Sequence, residues 1–118
     1  MEEQYEALVR DLGSAGIAYV HLVDHTSMGA PPLPADLSGK LKAAFGGVVI
    51  LSGGYDKARA EAALQAKKGE LVAFGRPFLA NPDLPARLQG DKPLNEPKPD
   101  SLYTPGPAGY TDYPFMDS

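Results

Sequence analysis

The 118-residue chain is 43% hydrophobic and 22% charged, and 11 Lys and Arg against 15 Asp and Glu give it a net charge of −4. That composition suits one modest folded core, and it argues against both wholesale disorder and a basic stripe that would neutralise nucleic-acid phosphates. With no cysteine in the sequence, disulfides, thiolate nucleophiles and zinc–thiolate centres are excluded.

The opening Met1-Glu2-Glu3-Gln4 is acidic where a signal peptide is basic, and no run of about 18 apolar residues follows. A cytoplasmic protein is expected. Tyr5, Leu8, Val9 and Leu12 recur at helical spacing, which predicts an amphipathic helix over 2–12 with Gly13 as its stop. Residues 17–23 are β-branched and aromatic, and predict a mostly buried strand ending at Asp24. After a loop with Gly29, Pro31 and Pro32, Pro34 suits a first helical turn. Leu37, Leu41, Ala44 and Phe45 carry that helix to Gly46-Gly47. Residues 48–51 are apolar without alternation, the pattern of a strand covered on both faces, and run into Ser52-Gly53-Gly54. Asp56 suits the N-cap of an alanine-rich helix over 57–67, closed by Gly69. Residues 71–74 predict a third strand delivered into Gly75-Arg76-Pro77, and Asn81-Pro82-Asp83 opens a last short helix to Leu88. Nine of the twelve prolines lie at or beyond Pro77, so the rest should be irregular.

Strands separated by helices long enough to cross over a sheet predict an α/β fold with parallel strands. Short right-handed crossovers then bring all three strand C-termini to one edge, where ligands bind in this class. Two of those termini carry glycine, Gly53-Gly54 and Gly75 followed by Arg76. Backbone N–H groups unobstructed by a β-carbon, together with a guanidinium fork, suit a phosphate. A tight turn and a surface arginine would look the same in sequence, so both readings stand on spacing alone.

His21 and His25 flank Asp24, but one lies in a strand and the other beyond it. They do not share a face as a helical pair would, and no metal site is assigned. Glu61, Lys67, Lys68 and Glu70 read as a solvated face. Tyr103, Tyr110, Tyr113 and Phe115 lie among glycines and prolines in a stretch too irregular for a helix, which suggests a tail over 103–118 packing on a body over 1–102.

Three blocks carry a resemblance: Ser52-Gly53-Gly54-Tyr55-Asp56, the run from Val72 through Gly75-Arg76-Pro77 to Leu84, and Gly109-Tyr110-Thr111-Asp112-Tyr113-Pro114. In this order and at these separations the sequence resembles, over essentially its whole length, the C-terminal part of the Old Yellow Enzyme family of FMN-dependent ene-reductases. The resemblance implies the last three βα units of a (β/α)8 TIM barrel. Gly53, Gly54, Gly75 and Arg76 then match the turns that bind the flavin phosphate, and Tyr113 matches a tyrosine lining the substrate cavity. It implies FMN as cofactor and NAD(P)H as reductant of activated alkenes. The family's carbonyl-polarising histidine pair, its proton-donating tyrosine and its arginine beneath the flavin match nothing here, so no catalytic residue is assigned.

A whole barrel takes about 250 residues and eight strands. Three strands cannot close, and their outer edges and inward faces, with Val20, Leu22, Val49, Leu51, Val72 and Phe74 on one side or the other, would lack partners. The chain is therefore expected to self-associate or to be one piece of a longer protein, with no nucleic acid or membrane as partner. The alternative function is a non-catalytic module that binds a phosphorylated ligand or a partner through an open partial barrel.

Overall fold

A computed structural model describes residues 2–32, 34 and 36–116. They form two compact units, one ending at Ala73 and one beginning at Phe74. This division falls well before the tail boundary expected at residue 103, because residues 74–116 are tied to one another by their own polar network. Residues 117 and 118 of that tail lie outside the described ones.

The first unit contains helix α1 (Glu2–Ser14), strand β1 (Tyr19–Val23), helix α2 (Leu37–Phe45), strand β2 (Val48–Ser52), helix α3 (Lys57–Gln65) and strand β3 (Leu71–Ala73). A single 3-10 turn, Thr26–Met28, lies in the β1–α2 loop. The strands are parallel in the order β1-β2-β3, with Val23 opposite Ser52 and Ser52 opposite Ala73 at their C-terminal ends.

Gly13 does not stop α1. A β-carbon there would stand 2.3 Å from the Phe45 carbonyl oxygen, so Gly13 lets α1 pass close against the end of α2. The stop is Gly16, with Gly16 N–H donating to Gly13 O and Ile17 N–H to Leu12 O, the paired bonds of a Schellman turn. Of the predicted stripe, Val9 is buried and Leu12 packs against the core, whereas Tyr5 and Leu8 are exposed. Leu37, Leu41 and Phe45 bury one face of α2, which ends at Gly46 as expected. Helix α3 ends at Gln65, with Lys67 in the left-handed region (φ 57°), while Gly69 packs on Leu51.

All three helices cover one face of the sheet, where Val49 and Leu51 join Val9, Leu37, Leu41, Phe45 and Ala63, with Val20, Leu22 and Val72 at the margin. The expectation that these strand residues would lose partners is corrected: they are the ones that the helices cover. The opposite face carries Tyr19, His21, Val23, Val48 and Leu71, all exposed, with Tyr19 at 53% and Leu71 at 54%. Strand β1 is thus half-covered rather than mostly buried, and β2 alternates rather than being covered on both faces. Sequential parallel strands with every helix on one side make a barrel segment, since a doubly wound sheet places helices on both sides.

Glu70, read as solvated, holds the start of β3. Its Oε2 accepts from Val49 N–H at 2.6 Å and its Oε1 meets Lys42 Nζ at 3.0 Å. Those contacts keep its carboxyl below the ordinary range, the Val49 N–H first and Lys42 second.

The second unit contains helices α4 (Arg76–Ala80) and α5 (Leu84–Gln89) and a 3-10 turn at Pro99–Ser101. The sequence did not show α4, whose first turn takes Pro77 where its missing N–H is harmless.

Candidate functional site

Strand β2 ends at Ser52, and the chain then turns through Gly53 (φ 105°) and Gly54 (φ 68°), a conformation that L side chains rarely adopt. A β-carbon on Gly53 would stand 2.0 Å from the Asp24 carbonyl oxygen, and one on Gly54 would stand 2.9 Å from Ser27 Cβ. The β1 loop therefore lies directly against this turn, and Asp24 N–H donates to Ser52 O at 2.9 Å. Asp56 caps α3 as its sequence position suggests, accepting from Arg59 N–H at 2.8 Å.

One cation organises the turn. Arg59 Nη1 donates to Gly53 O at 2.9 Å and to Gly54 O at 3.1 Å, and Nη2 meets Asp24 Oδ2 at 3.1 Å. The guanidinium carbon lies 4.1 Å from the centre of the Tyr55 ring. Asp24 Oδ1 accepts from both the hydroxyl and the N–H of Thr26. Those two bonds, and then Arg59, hold the Asp24 carboxyl below its usual value against the opposing effect of partial burial. Among the described residues the N–H groups of Gly53 and Gly54 have no acceptor. Asp24, Ser52, Tyr55 and Arg59 also line a cleft of about 780 Å³ that opens between α2 and α3.

His21 lies on the uncovered sheet face with Nε2 2.7 Å from Ser52 Oγ. His25 is an exposed residue at the head of the 3-10 turn. Among the described residues no cluster of three or more His, Cys, Asp or Glu side chains is placed to share a metal ion, and no helix is long and apolar enough to cross a membrane.

In the second unit Gly75 precedes α4 with a negative φ of −94°, and a β-carbon there would meet nothing within 4 Å. Arg76 is exposed and, among the described residues, has no carboxylate partner. Asn81, fully buried, donates from Nδ2 to Pro77 O at 2.8 Å and accepts from Asn95 N–H at 2.7 Å. Buried Arg87 meets Asp83 Oδ1 at 2.7 Å and donates to Pro93 O at 2.8 Å and Pro114 O at 3.0 Å. Met116 N–H donates to Asp83 Oδ2 at 2.9 Å.

Tyr113, matched by resemblance to a cavity wall, is only 5% exposed, and its hydroxyl accepts the Lys98 N–H at 2.7 Å. In this unit its ring is covered by neighbouring residues. Among the tail aromatics the most open rings are Tyr103 (89% exposed) and then Phe115. Sequence reasoning missed Arg59, whose ion-pair partner is 35 residues away, and no local signal could have found it. It also missed the Asp83–Arg87 pair, although an acid four residues before a base in a predicted helix is a legible signal.

The family model described as NADH:flavin oxidoreductase / NADH oxidase matches residues 3–95. A 12-oxophytodienoate reductase-like protein of Solanum lycopersicum is 38% identical over 112 residues, covering 93% of this chain and 30% of that protein. The 12-oxophytodienoate reductase 2 of Arabidopsis thaliana is 38% identical over 114 residues, with 94% of this chain and 30% of the relative covered. Among solved structures, morphinone reductase superposes with a TM-score of 0.92 at 40% identity, covering 98% of this chain and 31% of that one. The old yellow enzyme of Trypanosoma cruzi does so with a TM-score of 0.86 at 34% identity, covering 98% and 30%. The chain thus spans about 30% of the length of the curated relatives it matches.

Proposed function

Since the chain belongs to the NADH:flavin oxidoreductase / NADH oxidase family, we propose that it supplies the FMN-phosphate end of an Old Yellow Enzyme-type reductase of activated alkenes, with NAD(P)H as reductant. By the resemblance, Gly53 and Gly54 would hold the phosphate with N–H groups that have no acceptor among the described residues, and Gly75 and Arg76 would serve it with an uncrowded backbone and a guanidinium that has no carboxylate partner among those residues. These are the donor types an anion needs: backbone N–H groups without a neighbouring side chain, and a fixed positive charge. When bound, FMN would supply the hydride-transfer chemistry between NAD(P)H and the alkene.

The observation that carries this reading is the strand register. Ser52 and Ala73 are directly opposite, so β2 and β3 end at one level, and each is followed within two residues by glycine. No residue of this chain is assigned to the chemical step, and His21 and His25 are given no share in it. The chain's part is to bind and orient the cofactor's phosphate. The resemblance gives Tyr113 a place in the wall of the substrate cavity, and Tyr103 is the most exposed aromatic ring of the tail.

The test separates phosphate from ring. Arg76→Ala should weaken FMN binding by about tenfold or more, the worth of a charge-assisted bond, while leaving riboflavin binding nearly unchanged. Fluorescence quenching titrations of both flavins read the difference. Equal losses for the two flavins would remove Arg76 from the phosphate site.

A further inference from the structure

The Gly53–Gly54 turn is gripped from the α3 side by Arg59, which bonds both glycine carbonyls and Asp24 while its guanidinium carbon sits over the Tyr55 ring. Resting on the flavin-phosphate reading, we infer that Arg59 is a positioning residue for the anion site, fixing the direction of the turn's peptides and neutralising Asp24 so that no bare carboxylate stands beside the phosphate.

The first half follows from peptide geometry. In a trans peptide the C=O and the following N–H point to opposite sides. Holding Gly53 O on the guanidinium therefore turns the Gly54 N–H away from it, and the bond from Asp24 N–H to Ser52 O turns the Gly53 N–H away from the β1 loop in the same manner. Two successive glycines have no side chains of their own to select that orientation, and glycine has the most conformational freedom to lose. A planar fork that spans two carbonyls and a carboxylate selects it for them, whereas a lysine ammonium is a point charge that cannot bridge all three in one plane.

The second half follows from charge. Asp24 lies against the turn through its backbone, its N–H donating to Ser52 O at 2.9 Å, and its carboxyl is kept ionised by Thr26 and Arg59. An ionised carboxylate one guanidinium width from the glycine carbonyls would repel a phosphate dianion. Arg59 is placed to cancel it. The same residue thus couples the loop after β1 to the turn after β2, a link between elements 35 residues apart.

The experiment has a ligand-free arm and a flavin arm. In two-dimensional proton–nitrogen spectra of the full chain, Arg59→Ala should displace and broaden the Gly53, Gly54 and Asp24 amide signals. The Phe45 and Val49 signals, from the core, should stay in place. Arg10→Ala, an exposed control on α1, should move none of the three. Where Arg59→Ala loses the core signals, the comparison is read from Arg59→Lys and Asp24→Asn. In the flavin arm Arg59→Ala should lower FMN affinity by about tenfold and riboflavin affinity by much less, a size expected for coupled charges in contact. Adding Asp24→Asn to Arg59→Ala should recover about threefold of the FMN loss, because the repelling charge is gone. Gly53 and Gly54 signals that do not move in Arg59→Ala overturn the inference. An FMN loss that the Asp24→Asn change fails to relieve overturns its electrostatic half. A parent chain that binds FMN no better than riboflavin overturns the proposed function, and the ligand-free spectra then decide separately whether Arg59 sets the turn.

Discussion

At Gly53 a β-carbon would stand 2.0 Å from the Asp24 carbonyl oxygen on a backbone with φ of 105°, whereas at Gly75 it would meet open space on a backbone with φ of −94°. The fold therefore demands glycine at the first position and places no demand at the second. Gly53→Ala should destabilise the first unit by about 3 kcal/mol, from left-handed strain and overpacking together. Gly75→Ala should change stability by less than about 0.5 kcal/mol, since nothing crowds it. Urea unfolding of the two variants checks both. A large stability loss at Gly75 would show that packing explains its glycine after all. If instead Gly75→Ala unfolds like the parent yet binds FMN less well, the glycine serves the ligand. Sequence alone showed two glycine turns of equal standing, because steric demand is set by what approaches from elsewhere in the chain, here the β1 loop. The Asp56 cap was legible because its partner lies three residues away.

At the scale of elements, local signals placed every strand and four of the five helices among the described residues to within a few positions, and what they missed was set by neighbours. Gly13 was read as a stop but serves a helix–helix approach. Strand β1 was read as mostly buried, but its alternate residues face away from the helices. Helix α4 was hidden because Gly75-Arg76-Pro77 reads as a turn. The end of the second unit depends on Asp83, which accepts from Met116 N–H and pairs with Arg87. Those partners, the Met116 N–H first, hold the Asp83 carboxyl below its ordinary value of 3.8. A depressed folded value means that the stabilisation is complete above about pH 4 and is lost as pH falls through the folded value. Protonation should therefore release the Met116 amide only in acid, leaving it protected at neutral pH. Hydrogen exchange at Met116 followed from pH 7 downward measures this. In Asp83→Asn the acid-linked step should disappear, and a step that persists there would assign the titration to another group.

For the molecule as a whole, the governing feature is the uncovered face of the first unit's sheet. Tyr19, Val23, Val48 and Leu71 are exposed on it, and within the described residues β1 and β3 each have one unpaired edge. Covering a large apolar side chain is worth about 1.5–3 kcal/mol, and a free strand edge is a template for another strand. In a closed barrel both demands are met by the neighbouring strands. Among the described residues this chain brings three strands, and we expect the same surface to be met by another copy or by strands of a larger barrel. Sedimentation velocity over a range of concentrations should show species heavier than one chain. Val48→Lys and Leu71→Lys, which charge the open face without touching the helix-covered core, should shift the distribution toward the monomer. A parent chain that stays monomeric at every concentration and unfolds cooperatively at high temperature would show that three strands are enough, and the argument from closure would fail. If the parent associates but the lysine variants associate equally, the strand edges rather than the apolar face carry the contact, because a charge on the face leaves backbone pairing at β1 and β3 untouched.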